Sequence, residues 1–429
     1  MSSTSRHGDP TRPRRILIVG ASLAGLRTAE ALRQAGFDGS LTIVGAETHA
    51  PYNRPPLTKT ALVDGPDAAR LGLPGFDGLD ATWTLGVTAT GLDLAAREVR
   101  LDNGENLGFD SLVIATGASA RRLPGEMGAP GVHHIRTVDD ALALHRALAE
   151  PNQQVLVIGA GFLGSEMAST AVALGHRVTL VEAATGPMLA ALGPEVSAYT
   201  ADLHRSRGVD LRTSTTVLSL SHGPAGRWVA ALAEHTHGTR AEVTADIVVA
   251  ALGATPNTTW LRDCRLDLDG GVATDGSLTV LDTTGSPVAG VVAVGDVARV
   301  PQPLLDHAAT RVEHWATAVG HSRIAAATLL GQQAQSPVLP SFWTDQHGVQ
   351  IRGVGLPGVA DTTTVVDGTL QDHSFVVTRT RQGRLVGAIA VNNTRALFRF
   401  RAELESAPQH NRNRPARRPE PQPTHWEIR

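Results

Sequence analysis

Two stretches of this chain each run a short apolar strand into a turn of small residues. They are Ile16-Leu17-Ile18-Val19-Gly20-Ala21-Ser22-Leu23-Ala24-Gly25 and Val155-Leu156-Val157-Ile158-Gly159-Ala160-Gly161-Phe162-Leu163-Gly164. A strand that ends on glycine and passes at once into a helix gathers backbone N–H groups and a helix N-terminus at one point, where a pyrophosphate can be held. One such turn is weak evidence. Here each is followed by a helix that stops at a glycine and by a second strand that ends on an acid. The spacing predicts a helix over 24–34 stopping at Gly36 and a strand over 41–44 leading to Glu47; it then predicts a helix over 163–174 stopping at Gly175 and a strand over 178–181 leading to Glu182. Two such units in register point to two dinucleotides held by one molecule.

Glycine punctuates three further apolar strands: Leu112-Val113-Ile114-Ala115-Thr116-Gly117, Ile247-Val248-Val249-Ala250-Ala251-Leu252-Gly253 and Val291-Val292-Ala293-Val294-Gly295-Asp296. These read as returns of the chain to the nucleotide-facing edge of an open parallel sheet. Apolar strands alternating with Ala-rich helices specify an α/β protein with parallel sheets. A domain's worth of chain separates the two turns, and signals of the first unit recur after the second, so one domain is expected to be inserted in the other. Beyond Gly331 the pattern changes to β-rich alternation, as in 348–354, 373–378 and 385–391, which predicts a smaller, mostly antiparallel third domain. The polar, Pro- and Arg-rich ends, 1–13 and 407–429, read as disordered tails.

An acid at the end of the strand after a glycine turn accepts hydrogen bonds from the ribose hydroxyls of an adenosine. Glu47 and Glu182 hold that register, although such a residue standing alone is as readily a solvated strand end. Glu182 would also repel a 2′-phosphate, and Ala183-Ala184 supply no arginine to hold one. NADH is therefore favoured over NADPH. Ser22 stands where a middle glycine is common; it narrows the approach of a phosphate, yet its hydroxyl could bond one.

The chain has 38 Lys and Arg against 41 Asp and Glu, so its overall charge argues for neither nucleic acid nor an anionic membrane as partner. No apolar run reaches the length of a membrane span and residues 1–15 lack the apolar core of a signal peptide, so a cytoplasmic location is expected. Cys264 is the only cysteine, which excludes an internal disulfide, a Cys-x-x-Cys redox pair, a metal–sulfur cluster and a Cys-rich zinc site. No His-x-x-x-His or His-Glu-x-x-His spacing occurs, so no metal site is expected. Without a Gly-x-Ser-x-Gly elbow, serine hydrolysis has no support. Redox chemistry in such a chain must come from a cofactor.

The stretch Ala50-Pro51-Tyr52-Asn53-Arg54-Pro55-Pro56-Leu57-Thr58-Lys59 resembles a signature of the FAD-dependent, NADH-using ferredoxin reductases that serve bacterial oxygenases. Arg311-Val312-Glu313-His314-Trp315-Ala316-Thr317-Ala318 and Phe342-Trp343-Thr344-Asp345-Gln346-His347-Gly348 are similar to two more. The resemblance runs from about Arg15 to Leu404. It implies a glutathione-reductase-like fold with two Rossmann-like domains, the NADH domain (123–254) inserted in the FAD domain (14–122 and 255–331), and a C-terminal α+β domain (332–406).

Carried across residue by residue, the resemblance implies that Gly20, Ser22, Leu23, Ala24, Gly25, Glu47, Arg54, Ala115, Thr116 and Gly117 bind FAD. Lys59 would lie near the reactive nitrogen of the flavin, paired with Glu166, so that a cation stabilises negative charge on reduced flavin. Arg121 would meet FAD phosphate or ribityl oxygens, Ala89 the adenine, Gly295 and Asp296 the ribityl chain, Trp315 the pyrimidine end of the ring and Trp343 its exposed side. Gly159, Gly161, Phe162, Leu163, Gly164, Glu166, Glu182 and Gly253 would receive NADH. Arg311 matches a docking arginine for a small acidic two-iron, two-sulfur ferredoxin, which in turn supplies a monooxygenase or ring-hydroxylating dioxygenase. A second cationic cluster, Arg395, Arg399 and Arg401 beside Phe398 and Phe400, reads as a solvated face or as part of the same docking surface.

Thr58 and Thr344 replace serines usual in these signatures, His347 a tyrosine, and His314 a serine or threonine. His314 is either a hydrogen-bonded histidine at a helix start or a group that tunes the flavin. Other readings of the same fold remain: a rubredoxin or monodehydroascorbate reductase, or a regulatory flavoprotein like the apoptosis-inducing-factor relatives. An NADH peroxidase is disfavoured, because no cysteine lies within 55–58.

Overall fold

The computed structural model describes residues 13–406 apart from 129, 224–225, 237 and 334–337; the tails read at 1–13 and 407–429 lie, but for Pro13, outside the described residues. Strand Arg15–Val19 is buried over its last four residues and lies inside a six-stranded sheet. Across that sheet the order is Thr279–Leu281, Pro287–Ala293, Ser111–Ile114, Arg15–Val19, Ser40–Gly45 and Thr82–Leu85. All neighbours are parallel except the outermost pair, Thr279–Leu281 with Pro287–Ala293. Continuous Val/Ile/Leu runs are what such strands require, because both faces are covered. Four strands come from before residue 115 and two from after residue 278, so the sheet closes only when the chain returns.

The intervening chain builds a second parallel sheet, in the order Asp210–Arg212, Arg177–Val181, Gln154–Ile158, Ile247–Ala250 and Val132–His133. Where the chain leaves and re-enters the first unit, Ala118–Ala120 pairs antiparallel with Ala254–Pro256, and the Arg121 N–H donates to the Gly253 carbonyl at 2.9 Å. One ribbon thus joins the two units. The helices that follow the glycine turns run Leu23–Gln34 and Phe162–Ala173, each beginning one residue earlier than the spacing predicts.

The C-terminal part is a five-stranded antiparallel sheet, ordered Ser341–Gln346, Val349–Gly355, Arg384–Val391, Ser374–Arg381 and Thr362–Thr369. One face packs Phe342, Ile351, Phe375 and Ile389 against Leu192, Val196 and Leu203 of the second unit. The other is covered by helix Leu397–Ser406 through Leu397, Phe400 and Leu404. The sheet is fastened to the second unit by Arg379, 3% exposed, whose guanidinium reaches Glu195 at 3.0 Å. Two of its strands lie outside the stretches read as alternating. Thr362–Thr369 is a polar edge strand exposed along most of its length, and Ser341–Gln346 spans a signature read as a motif. Among the described residues no helix is long and apolar enough to cross a membrane.

Candidate functional site

The strand-end glycines are required by the chain itself. Gly20 has φ +121°, and a Cβ on it would stand 2.1 Å from the Ala115 carbonyl oxygen; Gly159 has φ +97°, and its Cβ would stand 2.5 Å from that of Ala251. In each unit the returning strand end passes directly over the turn. Gly25 and Gly164 let the helix settle on the turn, since a Cβ there would lie 1.9 and 1.8 Å from the carbonyls of Gly20 and Gly159. Gly161 differs from all of these. Its φ is an ordinary −69°, and a Cβ on it meets nothing within 4 Å. Its open side is the space through which a phosphate would approach the backbone.

The helices that start at these turns, and helix Trp315–Leu329, begin at Ser22, Gly161 and His314 without a side-chain cap. Helix Val138–Ala147 instead starts on a complete capping box from Thr137 and Asp140. The three uncapped N-termini keep free N–H groups and the positive end of a helix dipole for an anion.

Each strand-end acid already has donors. Glu47 accepts from the Tyr52 hydroxyl at 2.5 Å and is paired with Arg54. Arg54 also reaches the Ser22 Oγ at 3.3 Å, so the unusual residue of the first turn is tied to the same arginine. Glu182 accepts from the backbone N–H of Ala160 at 2.7 Å and of Ala184 at 2.8 Å, which aims its carboxylate across the second turn. Beside the first crevice, Thr116 Oγ1 and the Asn257 carbonyl are 2.9 Å apart. The Gly295 N–H donates to His321 Nδ1 at 3.3 Å. Burial pushes the His321 pKa down to about 4, Asp296 notwithstanding, and a neutral ring is what that acceptor role requires. Ala89 is buried in a small antiparallel sheet with Glu98–Leu101 and Asn106–Gly108.

Between the crevices, Lys59 Nζ lies 2.8 Å from Glu166 Oε1. The lysine comes from the segment after the first crevice and the glutamate from the first half of the second-turn helix. Glu166 is 4% exposed and also accepts from the hydroxyls of Thr58 at 2.5 Å and Thr344 at 2.7 Å. Around this point gather Phe162 and His314, ring centroids 5.7 Å apart, Phe342 stacked on His314 at 5.8 Å, and Trp315 edge-on to Trp343 at 6.4 Å. All three parts of the chain meet here.

Residues 14–322 match the pyridine nucleotide-disulphide oxidoreductase family, and residues 341–417 match the reductase C-terminal domain. The chain belongs to the pyridine nucleotide-disulphide oxidoreductase family. It is 35% identical over 380 residues to the anthranilate 1,2-dioxygenase system ferredoxin–NAD(+) reductase component of Burkholderia cepacia, covering 88% of this chain and 90% of that one. It is 36% identical over 384 residues to rhodocoxin reductase of Rhodococcus erythropolis, covering 89% and 87%. The crystal structure of the covalent putidaredoxin reductase–putidaredoxin complex matches with a TM-score of 0.82 at 30% identity, covering 90% of this chain and 92% of that one.

Within this family frame, two arginines have contacts that the sequence reading did not give. Arg136, not singled out there, donates to the Asp296 carboxylate at 2.6 Å and to the Ala118 carbonyl at 2.9 Å, while its own carbonyl accepts from Arg54 at 2.6 Å. It joins the residues of the first crevice although it lies at the entry to the second unit. No local pattern marks it, because its partner is 160 residues away.

Arg311, which matches a docking arginine, has a side chain 17% exposed. Its guanidinium donates to the carbonyls of Gly270 and Asp296, both at 3.0 Å, and pairs with Glu313 at 2.5 Å. Its contact with the Asp296 carbonyl makes it part of the crevice wall. Arg121 is exposed, with its backbone alone in the ribbon. His314 starts its helix without capping it; ring packing takes the place of the expected hydrogen bond, and burial lowers its pKa despite Asp296.

Proposed function

We propose that this chain is an NADH-dependent FAD reductase of a two-iron, two-sulfur ferredoxin that supplies a monooxygenase or ring-hydroxylating dioxygenase. The parts at 14–122 and 255–331 would hold FAD and the part at 123–254 would hold NADH. The observation that carries this reading is the Lys59–Glu166 pair at 2.8 Å, a half-buried cation fixed by a buried carboxylate at the meeting point of two nucleotide crevices. The residues fit both groups: Gly161 leaves a backbone approach open, and the helices beginning at Ser22, Gly161 and His314 leave their N-termini to an anion. Asn53 Oδ1 and Thr317 Oγ1, in the two signatures beside the first crevice, are buried without a hydrogen-bond partner among the described residues, as polar atoms reserved for a ligand are.

When bound, FAD takes a hydride from NADH and releases electrons singly to a one-electron carrier. The chain supplies orientation and electrostatics. Lys59 presents positive charge where the reaction accumulates negative charge, and Glu166 keeps it from swinging to solvent. Glu182, preset by two backbone N–H groups, receives the adenosine ribose of NADH and disfavours a 2′-phosphate. Asp296, held by Arg136, and Glu47, held by Arg54 and Tyr52, do the corresponding work for FAD.

No thiol lies beside Lys59 to take the electrons. Cys264 donates to the Leu92 carbonyl at 3.1 Å, and burial raises its thiol pKa, so it is a packing residue. The acceptor is therefore outside the chain, and the names of the relatives favour a ferredoxin. Lys59→Met is expected to retain FAD and slow flavin reduction by NADH by at least roughly tenfold. Stopped-flow reduction at the wild-type rate would refute the role of the lysine.

A further inference from the structure

The carboxylate of Glu166 is held by the other two parts of the chain at once. Thr58, 2% exposed, donates to Oε2; Thr344, 0% exposed, donates to Oε1, the oxygen that also faces Lys59. Each threonine has one hydroxyl proton to give. That of Thr344 is aimed by a further bond, because its oxygen accepts from Gln346 Nε2 at 3.0 Å. The result is a directed chain that converges on one carboxylate: Gln346 donates to Thr344, and Thr344 and Lys59 both donate to Glu166. The same helix is secured one turn on, where Thr170 Oγ1 donates to the Thr58 carbonyl at 2.6 Å and Ser169 Oγ accepts from the His347 N–H at 2.6 Å. One stripe of helix Phe162–Ala173 thus carries Glu166, Ser169 and Thr170 to both neighbours. Threonine suits this task, since its branched Cβ restricts χ1 and fixes the direction of the hydroxyl.

We propose that Thr58 and Thr344 are positioning residues that act through Glu166 on Lys59, so that the C-terminal sheet sets the place of the cation on which flavin reduction depends. The inference rests on the role given to Lys59 above. Hydrogen bonds to a buried carboxylate are charge-assisted, and losing one lets the carboxylate turn and draw the ammonium with it. Thr→Val keeps the shape of the side chain and removes the donor; Thr→Ser keeps the donor.

The test uses the full FAD-loaded chain in four forms: Thr58→Val, Thr344→Val, Thr58→Ser and Thr344→Ser. The valine variants are expected to keep FAD and the wild-type circular dichroism, and to shift the flavin midpoint potential to more negative values. Their limiting rate of reduction by NADH is expected to fall about tenfold with little change in KM. The serine variants are expected to restore both readouts to near wild type. If one valine variant fails to fold, the other decides. Wild-type potential and rate in the valine variants, changes that serine does not rescue, or loss of FAD from both valine variants would overturn the proposal. If Lys59→Met slows reduction while the valine variants do not, only this inference fails; if NADH does not reduce the wild-type flavin, the proposed function fails first.

Discussion

Gly161 and Gly159 sit two residues apart and are glycine for different reasons, which makes them a matched experiment. Gly159→Ala forces a Cβ to within 2.5 Å of the Ala251 carbonyl at positive φ, and should cost about 2 kcal/mol or more of stability. Gly161→Ala meets no protein atom and should change stability by less than about 1 kcal/mol. It should nevertheless raise the KM for NADH roughly tenfold, with kcat little changed, because it obstructs binding alone. Thermal melts and steady-state kinetics on both variants check this. Arg311→Glu is expected to reduce NADH–ferricyanide and NADH–ferredoxin turnover together, by roughly tenfold, since it removes the donor to the Asp296 carbonyl and places an acid beside Glu313. A fall confined to the ferredoxin assay would instead support the docking role expected from sequence. At this scale the pairing of Lys59 with Glu166 was expected only through the family resemblance, since nothing in the spacing of positions 59 and 166 brings them together. Arg136 was not, since an isolated arginine carries no local mark, and neither were the contacts of Arg311 with the carbonyls of Gly270 and Asp296.

Among the elements, the hairpin after Ser341–Gln346 meets helix Pro194–Ser206 through His347 Nε2 and His204 Nδ1, 3.0 Å apart. Burial pushes His204 down to about 3, with His347 adding to the effect; burial and Arg207 push His347 down to about 4. Both folded values lie below the ordinary 6.5, so the unfolded chain binds protons more readily than the folded one. Their contribution is complete above pH ~6.5 and is lost as the pH falls from there toward ~4. The melting temperature should therefore drop over that interval, and His347→Asn, which tolerates the φ of +51° at this position, should flatten the drop. An unchanged pH profile would exclude the pair as its source. The helices after the two glycine turns were readable to within a residue, whereas the strand read at 373–378 extends to Arg381 and the one read from Val291 begins at Pro287. The edge strand Thr362–Thr369 was not readable, because an exposed strand need not alternate and this one is mostly polar.

At the scale of the molecule, the nested layout was suggested by signals of the first unit recurring after the second, and the sheet that closes from both ends of the chain has that form. What sequence order left open was that three parts converge on one carboxylate, with donors from positions 58, 59 and 344 on an acceptor at 166. The one cysteine of the chain, Cys264, donates to the Leu92 carbonyl, and the proposed acceptor of the electrons is an outside carrier. The most direct test is an anaerobic titration of the FAD-loaded protein with NADH in the presence of a purified two-iron, two-sulfur ferredoxin. Each NADH is expected to bleach the flavin and then reduce two ferredoxins, one electron apiece. A flavin that NADH reduces but that leaves every such ferredoxin oxidised would contradict this assignment of the acceptor.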